Sequence, residues 1–148
     1  MLPRLLGPGL ALVVLAHGSM ATAMDDPAQC LALAMYHEAR GDGREGMEAV
    51  GWVVLNRVAN PDFPDSVCDV VTEGGPTPPC QFSWWCDDLS NEPKEPDSWR
   101  LALDVAKELL RRPRRDPTRQ ALFFHSISIA APWRRPKTAQ IGDHIFYR

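Results

Sequence analysis

Tyr36-His37-Glu38-Ala39-Arg40 is the stretch of this 148-residue chain best suited to proton chemistry. Glu38 closes a mostly apolar run, Cys30 to Met35, that reads as a helix. The carboxyl end of a helix carries partial negative charge, which disfavours a carboxylate. Apolar neighbours disfavour it too. Arg40 opposes both effects if it folds back. A carboxyl group kept protonated near neutral pH is what an acid catalyst needs to break a glycosidic bond. A solvated glutamate at a helix end is the plain alternative.

Other residue types widen the chemistry. His37, His125 and His144, with Glu38, raise the possibility of zinc and a metal-bound water. His37-Glu38 lacks a second histidine four residues on, as a metalloprotease helix requires, so no metal is expected. Trp84, Trp85 and Trp133 could stack on pyranose faces, whereas Trp52 and Tyr36 are expected in the core. Asp87 and Asp88 are the reserve candidates for a second acid. Asp42, Glu45 and Glu48 read as turn and helix-surface residues.

The elements that must hold these residues follow from pattern. Asp26 caps a first helix with Pro27 in its first turn, running to about Arg40 and ended by Gly41 and Gly43. A second helix spans about Arg44 to Asn60, with Met47, Val50, Val54 and Val58 at helical spacing. Ser66 to Val71 reads as a short helix. Glu73 to Glu95 is loop-like, and a loop this long is usually functional or cross-linked. Ser98 is expected to cap a third long helix from Trp99 to about Arg112. Arg111 to Arg119 reads as a solvated basic loop. Ala121–Phe124, Ile127–Ala130 and Ile145–Tyr147 are predicted as short strands or extended segments. Helices first and short strands later indicate one α+β domain.

Composition is that of an ordinary globular chain, 45% hydrophobic and 24% charged. Residues 1–23 read as a secretory signal peptide: Arg4, an apolar run from Leu10 to Ala16, and Ala21-Thr22-Ala23 as the cleavage site. The apolar run is too short to span a membrane. The mature domain is then 24–148, with 15 basic against 19 acidic residues and net charge −4. That balance argues against a nucleic-acid partner. Four cysteines in an exported chain, Cys30, Cys68, Cys80 and Cys86, suggest two disulfides, and three pairings are open.

Several blocks in order resemble the SleB/CwlJ-type cell-wall hydrolases. They are Leu31 to Arg40, Ala49-Val50, Leu55-Asn56-Arg57-Val58, Phe63-Pro64, Val67-Cys68, Val70-Val71 and Cys80-Gln81-Phe82-Ser83. The tail adds His125, Pro132-Trp133, Ile141-Gly142, His144 and Phe146-Tyr147. The resemblance spans about residues 28–148. It implies a mainly helical, lysozyme-like domain with a small β or extended C-terminal part. It implies Glu38 as the catalytic acid, and Gln81, Phe82 and Ser83 lining the cleft. Trp84, His125 and Trp133 complete the expected substrate-binding set. One block departs from the pattern. Where such proteins often carry a Thr-His-Tyr-His-like run, this chain has Leu122-Phe123-Phe124-His125.

The expectation is therefore an exported monomer, periplasmic or wall-associated, acting on peptidoglycan without a cofactor and without stable membrane insertion. Its activity would be cleavage between N-acetylmuramic acid and N-acetylglucosamine, with a lone acid favouring a lytic transglycosylase. A zinc-dependent amidase of the same polymer and an inactive wall-binding module are the competing readings.

Overall fold

The computed structural model describes residues 24–112, 115–131 and 133–148. The signal peptide expected over residues 1–23 lies outside them. The centre of the domain is α1, Pro27–Ala39. Asp26 caps it, its side chain accepting from the Ala28 N–H at 2.9 Å. Every residue from Cys30 to Tyr36 is buried, because a helix apolar on all sides can only be covered on all sides. The covering elements are α2 (Gly43–Val58), α3 (Val67–Thr72) and α4 (Pro96–Arg111).

Close approach is built into the sequence. A methyl group at Gly51 on α2 would lie 2.6 Å from Leu109 Cδ1 and 2.9 Å from the Met35 sulfur. Glycine at this position leaves room for the Leu109 and Met35 side-chain ends where α1, α2 and α4 meet. A disulfide from Cys30 to Cys68 joins α1 to α3. The Tyr36 hydroxyl, buried in the core, accepts the Lys94 and Glu95 N–H groups at 3.0 Å each and so fixes the approach to α4.

The tail forms a three-stranded antiparallel sheet in the order β1-β3-β2, with β1 Phe123–Ser126, β2 Lys137–Ile141 and β3 His144–Tyr147. Phe146 from the central strand packs on Ala49, Val53 and Ala121, fastening the sheet to α2. A polar clamp adds to this. Asp42, in the 3₁₀ turn between α1 and α2, accepts from His144 Nδ1 at 2.9 Å and from the Asp143 N–H at 3.1 Å. Among the described residues no helix is long and apolar enough to cross a membrane.

The α+β class stands, and several elements differ from the expected ones, β1 among them, which lies two residues later than expected. α4 starts at Pro96 with Glu95 in the cap position, so Ser98 is not its cap. Ile127–Ala130 is not a strand: Ser128 N bonds Ser126 Oγ and Ile129 N bonds Ser126 O, which turns the chain and leaves Ile127 and Ile129 exposed. β2 lies over Lys137–Ile141, where the sequence shows no apolar run. The long loop 73–95 holds a 3₁₀ turn at Ser83–Cys86.

Candidate active site

Glu38 is the second-last residue of α1. It borders a cleft of about 420 Å³ whose other walls are Arg57, Gln81, Phe82, Ser83, Phe123, Phe124, Trp133 and Arg135. On its other side is a hollow of about 350 Å³ formed with His37, Arg40, Gly41 and Glu95. Glu38 thus lines both hollows. Burial raises its pKa to about 7, and this effect outweighs the pull of the Trp84 indole N–H and the Arg57 charge in the other direction. The Trp84 contact falls short of full hydrogen-bond geometry, since Trp84 Nε1 has no partner within bonding distance. Arg40 does not fold back onto Glu38. It pairs with Glu95 at 2.8 Å and lies over the Tyr36 ring.

The floor of the cleft comes from a short ring. A disulfide between Cys80 and Cys86 encloses Gln81, Phe82, Ser83, Trp84 and Trp85. Gln81 and Ser83 are exposed to the cleft, while Phe82 is buried beneath them. Trp84 is not an open sugar platform. It is buried, with the His37 ring stacked on it at 4.5 Å. His37 Nε2 lies 3.1 Å from the Asn91 carbonyl. A carbonyl only accepts, so Nε2 carries the proton; burial lowers the pKa of this imidazole.

The far wall is aromatic and cationic. Arg57, 5% exposed, sends its Nε–H to the Leu122 carbonyl at 2.8 Å. Its guanidinium lies 5.2, 5.5 and 5.8 Å from the ring centres of Phe63, Phe82 and Phe123. Burial pulls its pKa down to about 10, against the raising effect of Glu73 and Glu38, so it stays charged at neutral pH. Arg135 lies over the Phe123 ring at 3.7 Å.

Of the residues expected to bind substrate, Gln81, Phe82, Ser83 and Trp133 share the cleft with Glu38. Trp84 stands behind it. His125 is a correction to that set. Its ring lies against Trp133 and Tyr147, with Nδ1–H donating to the Ser126 carbonyl at 2.7 Å and Nε2 accepting from the Tyr147 hydroxyl at 2.8 Å. Both nitrogens are committed inside the sheet. Asp87 and Asp88 are exposed, and Asp42 is held by His144. Among the described residues no three His, Cys, Asp or Glu side chains gather as a metal set. Residue-by-residue reading missed Arg57, Phe123, Phe124 and Arg135 as cleft residues. The altered Leu122–His125 block was the signal that could have found two of them.

A part-buried carboxyl beside an open cleft can pass a proton to a linkage in the middle of an extended chain. Residues 41–147 match the cell wall hydrolase family, from just beyond Glu38 to the last strand. The spore cortex-lytic enzyme of Halalkalibacterium halodurans is 33% identical over 82% of this chain and 34% of its own length. That of Bacillus subtilis is 35% identical over 78% of this chain and 35% of its own length. The chain thus spans about a third of these relatives. The catalytic domain of the Bacillus cereus SleB protein superposes with a TM-score of 0.63 at 29% identity, covering 95% of this chain and all of that one. The catalytic domain of the germination-specific lytic transglycosylase SleB from Bacillus anthracis gives 0.59 at 30% identity, covering 91% and 100%. The chain belongs to the cell wall hydrolase family.

Proposed function

We propose that this chain cuts the glycan strand of peptidoglycan between N-acetylmuramic acid and N-acetylglucosamine, as a lytic transglycosylase with Glu38 as both acid and base. The observation that carries the reading is a part-buried Glu38 that lines two hollows, with its pKa raised to about 7. In the first step Glu38 gives its proton to the bridging oxygen. The bond from that oxygen to muramic C1 breaks, the N-acetylglucosamine side leaves with the proton, and positive charge develops at C1. In the second step the muramic 6-hydroxyl attacks C1. Its proton passes to the Glu38 carboxylate, and a 1,6-anhydro ring closes without water.

A lone acid supports this route. Among the described cleft residues Glu38 is the one carboxylate, and Glu95 in the adjoining hollow is tied to Arg40. The likeness to a lytic transglycosylase catalytic domain supports it as well. Residues 1–23 fit an export signal that would deliver the domain to the wall.

Digestion of purified sacculi tests the reading by product mass. Anhydro-muropeptides, one water lighter than hydrolysis products, are expected. Glu38→Gln should lower their release about 10³-fold, within the usual range for loss of a general acid, while the protein stays folded. Release of stem peptides alone, or a fully active Gln variant, would end the proposal.

A further inference from the structure

The aromatic and cationic wall of the cleft takes up no proton in the steps above, although the Arg57 charge lowers the Glu38 pKa. It holds two cations beside one ring: Arg57 lies 5.8 Å from the centre of Phe123, and Arg135 lies 3.7 Å from it. Arg57 is buried and bonded to the Leu122 carbonyl. Arg135 is exposed, and among the described residues no acid pairs with it. The sole carboxyl of the cleft, Glu38, is largely uncharged below pH 7. A chain of formal net charge −3 therefore places two arginines in one cleft, Arg57 under the influence of Glu73 and Glu38 and Arg135 with no acid paired to it among the described residues.

An exposed arginine normally loses much rotamer freedom when it is held in one place. Here the Phe123 ring holds the guanidinium at 3.7 Å, and among the described residues its N–H groups make no hydrogen bond. The N–H edge of a guanidinium fits a carboxylate in bidentate fashion. The ring comes from the apolar Leu122–Phe124 run, and its face is the support for Arg135.

We propose that Arg135, laid on Phe123 with Arg57 close by, is a receptor for a carboxylate borne by the muramyl unit. This rests on the glycan-cleaving reading above and names what the cleft selects. Muramic acid differs from N-acetylglucosamine by a lactyl group, whose carboxyl is free in peptide-stripped strands. In intact wall it is an amide, and the carboxylates belong to the stem peptide. Either source offers the same ligand chemistry. Phe123 and Arg135 line the same cleft as Glu38, so the preference would act on the strand that the acid cleaves.

The test separates recognition from cleavage. Binding is titrated with the Glu38→Gln protein, with and without Arg135→Ala, on three ligands: peptide-bearing glycan, amidase-stripped glycan, and stripped glycan with lactyl carboxyls capped as methylamides. Arg135→Ala should weaken binding about tenfold on strands with free lactyl carboxyls, the worth of one good charge-assisted pair, and leave capped strands unaffected. Arg135→Lys should recover part of the loss. A loss confined to peptide-bearing glycan also supports the receptor and assigns the stem-peptide carboxylates. Equal loss on capped strands, or no loss on any ligand, overturns it. Cleavage by the native protein is read separately. If it releases no glycan fragments while binding still depends on Arg135, the catalytic reading fails and the receptor stands.

Discussion

Asn56 and Arg57 are neighbours on α2, and they serve two regions built on opposite terms. Asn56 reaches a polar knot around Asp116. That carboxylate accepts from Thr118 N at 2.8 Å, Thr118 Oγ1 at 2.7 Å, Gln120 N at 2.7 Å and Asn56 Nδ2 at 3.0 Å. Asn56 also bonds the Ala121 carbonyl at 3.0 Å, which joins the knot to the chain entering β1. Arg57 faces the cleft, where polar groups go short. Arg57 Nη1, Trp84 Nε1 and Trp133 Nε1 are buried without partners, and the Glu38 carboxyl is desolvated with only a partial one. Each unsatisfied buried group costs about 1–3 kcal/mol. The knot stabilises the fold. The cleft gives up stability to keep a proton donor and several N–H groups unspent.

The sharpest way to break this contrast is to remove the charge that Glu38 must bury. Its folded pKa, about 7, lies above the ordinary value of 4.5. Between these the folded protein holds a proton that the unfolded chain does not. The stability this gives is fully present below about pH 4.5 and is lost as pH rises through 7, roughly 3 kcal/mol in all. Glu38→Gln carries no such charge. Its thermal stability should match the native protein near pH 4.5 and exceed it by that amount at pH 8. Parallel stability curves across this range would mean that Glu38 is not buried as described.

The knot should answer in the opposite sense. Asp116→Ala strands the Asn56 amide and the Thr118 and Gln120 donors, and should cost about 2 kcal/mol in denaturant unfolding. Turnover of sacculi well below the melting temperature should stay unchanged. A fall in activity with no loss of stability would place Asp116 on the wrong side of the comparison.

How much of this was legible depends on the reach of each interaction. α1, α2 and the candidate acid follow from local runs, because capping and helical spacing act within a few residues. The Gln81–Ser83 block is local too, closed in a small ring by Cys80 and Cys86. The far wall is not local. Phe123, Phe124 and Arg135 reach the cleft only through strand pairing that sets Phe124 opposite Phe146 and Lys137 opposite Tyr147. β2 was invisible because Lys-Thr-Ala-Gln-Ile lies at a sheet edge and needs little apolar surface. His125 misled for the same reason: its partner, Tyr147, lies 22 residues away.

The finest test probes the one donor that bridges the two terms. Trp84 belongs to the core by burial and to the site by its indole N–H, and His37 stacked on its face keeps it in place. Burial sets the Glu38 pKa, and the Trp84 N–H trims it downward. Trp84→Phe keeps an aromatic ring for His37 to stack on and removes only the donor. The protonated form of Glu38 then persists to higher pH, so the alkaline limb of the activity profile should move upward. A weak neutral donor is worth less than about one pH unit, so the move should be smaller than that. A shift toward lower pH would show that the indole ring shields Glu38 from water more than its N–H favours the ionised form. The donor would then count as part of the wall.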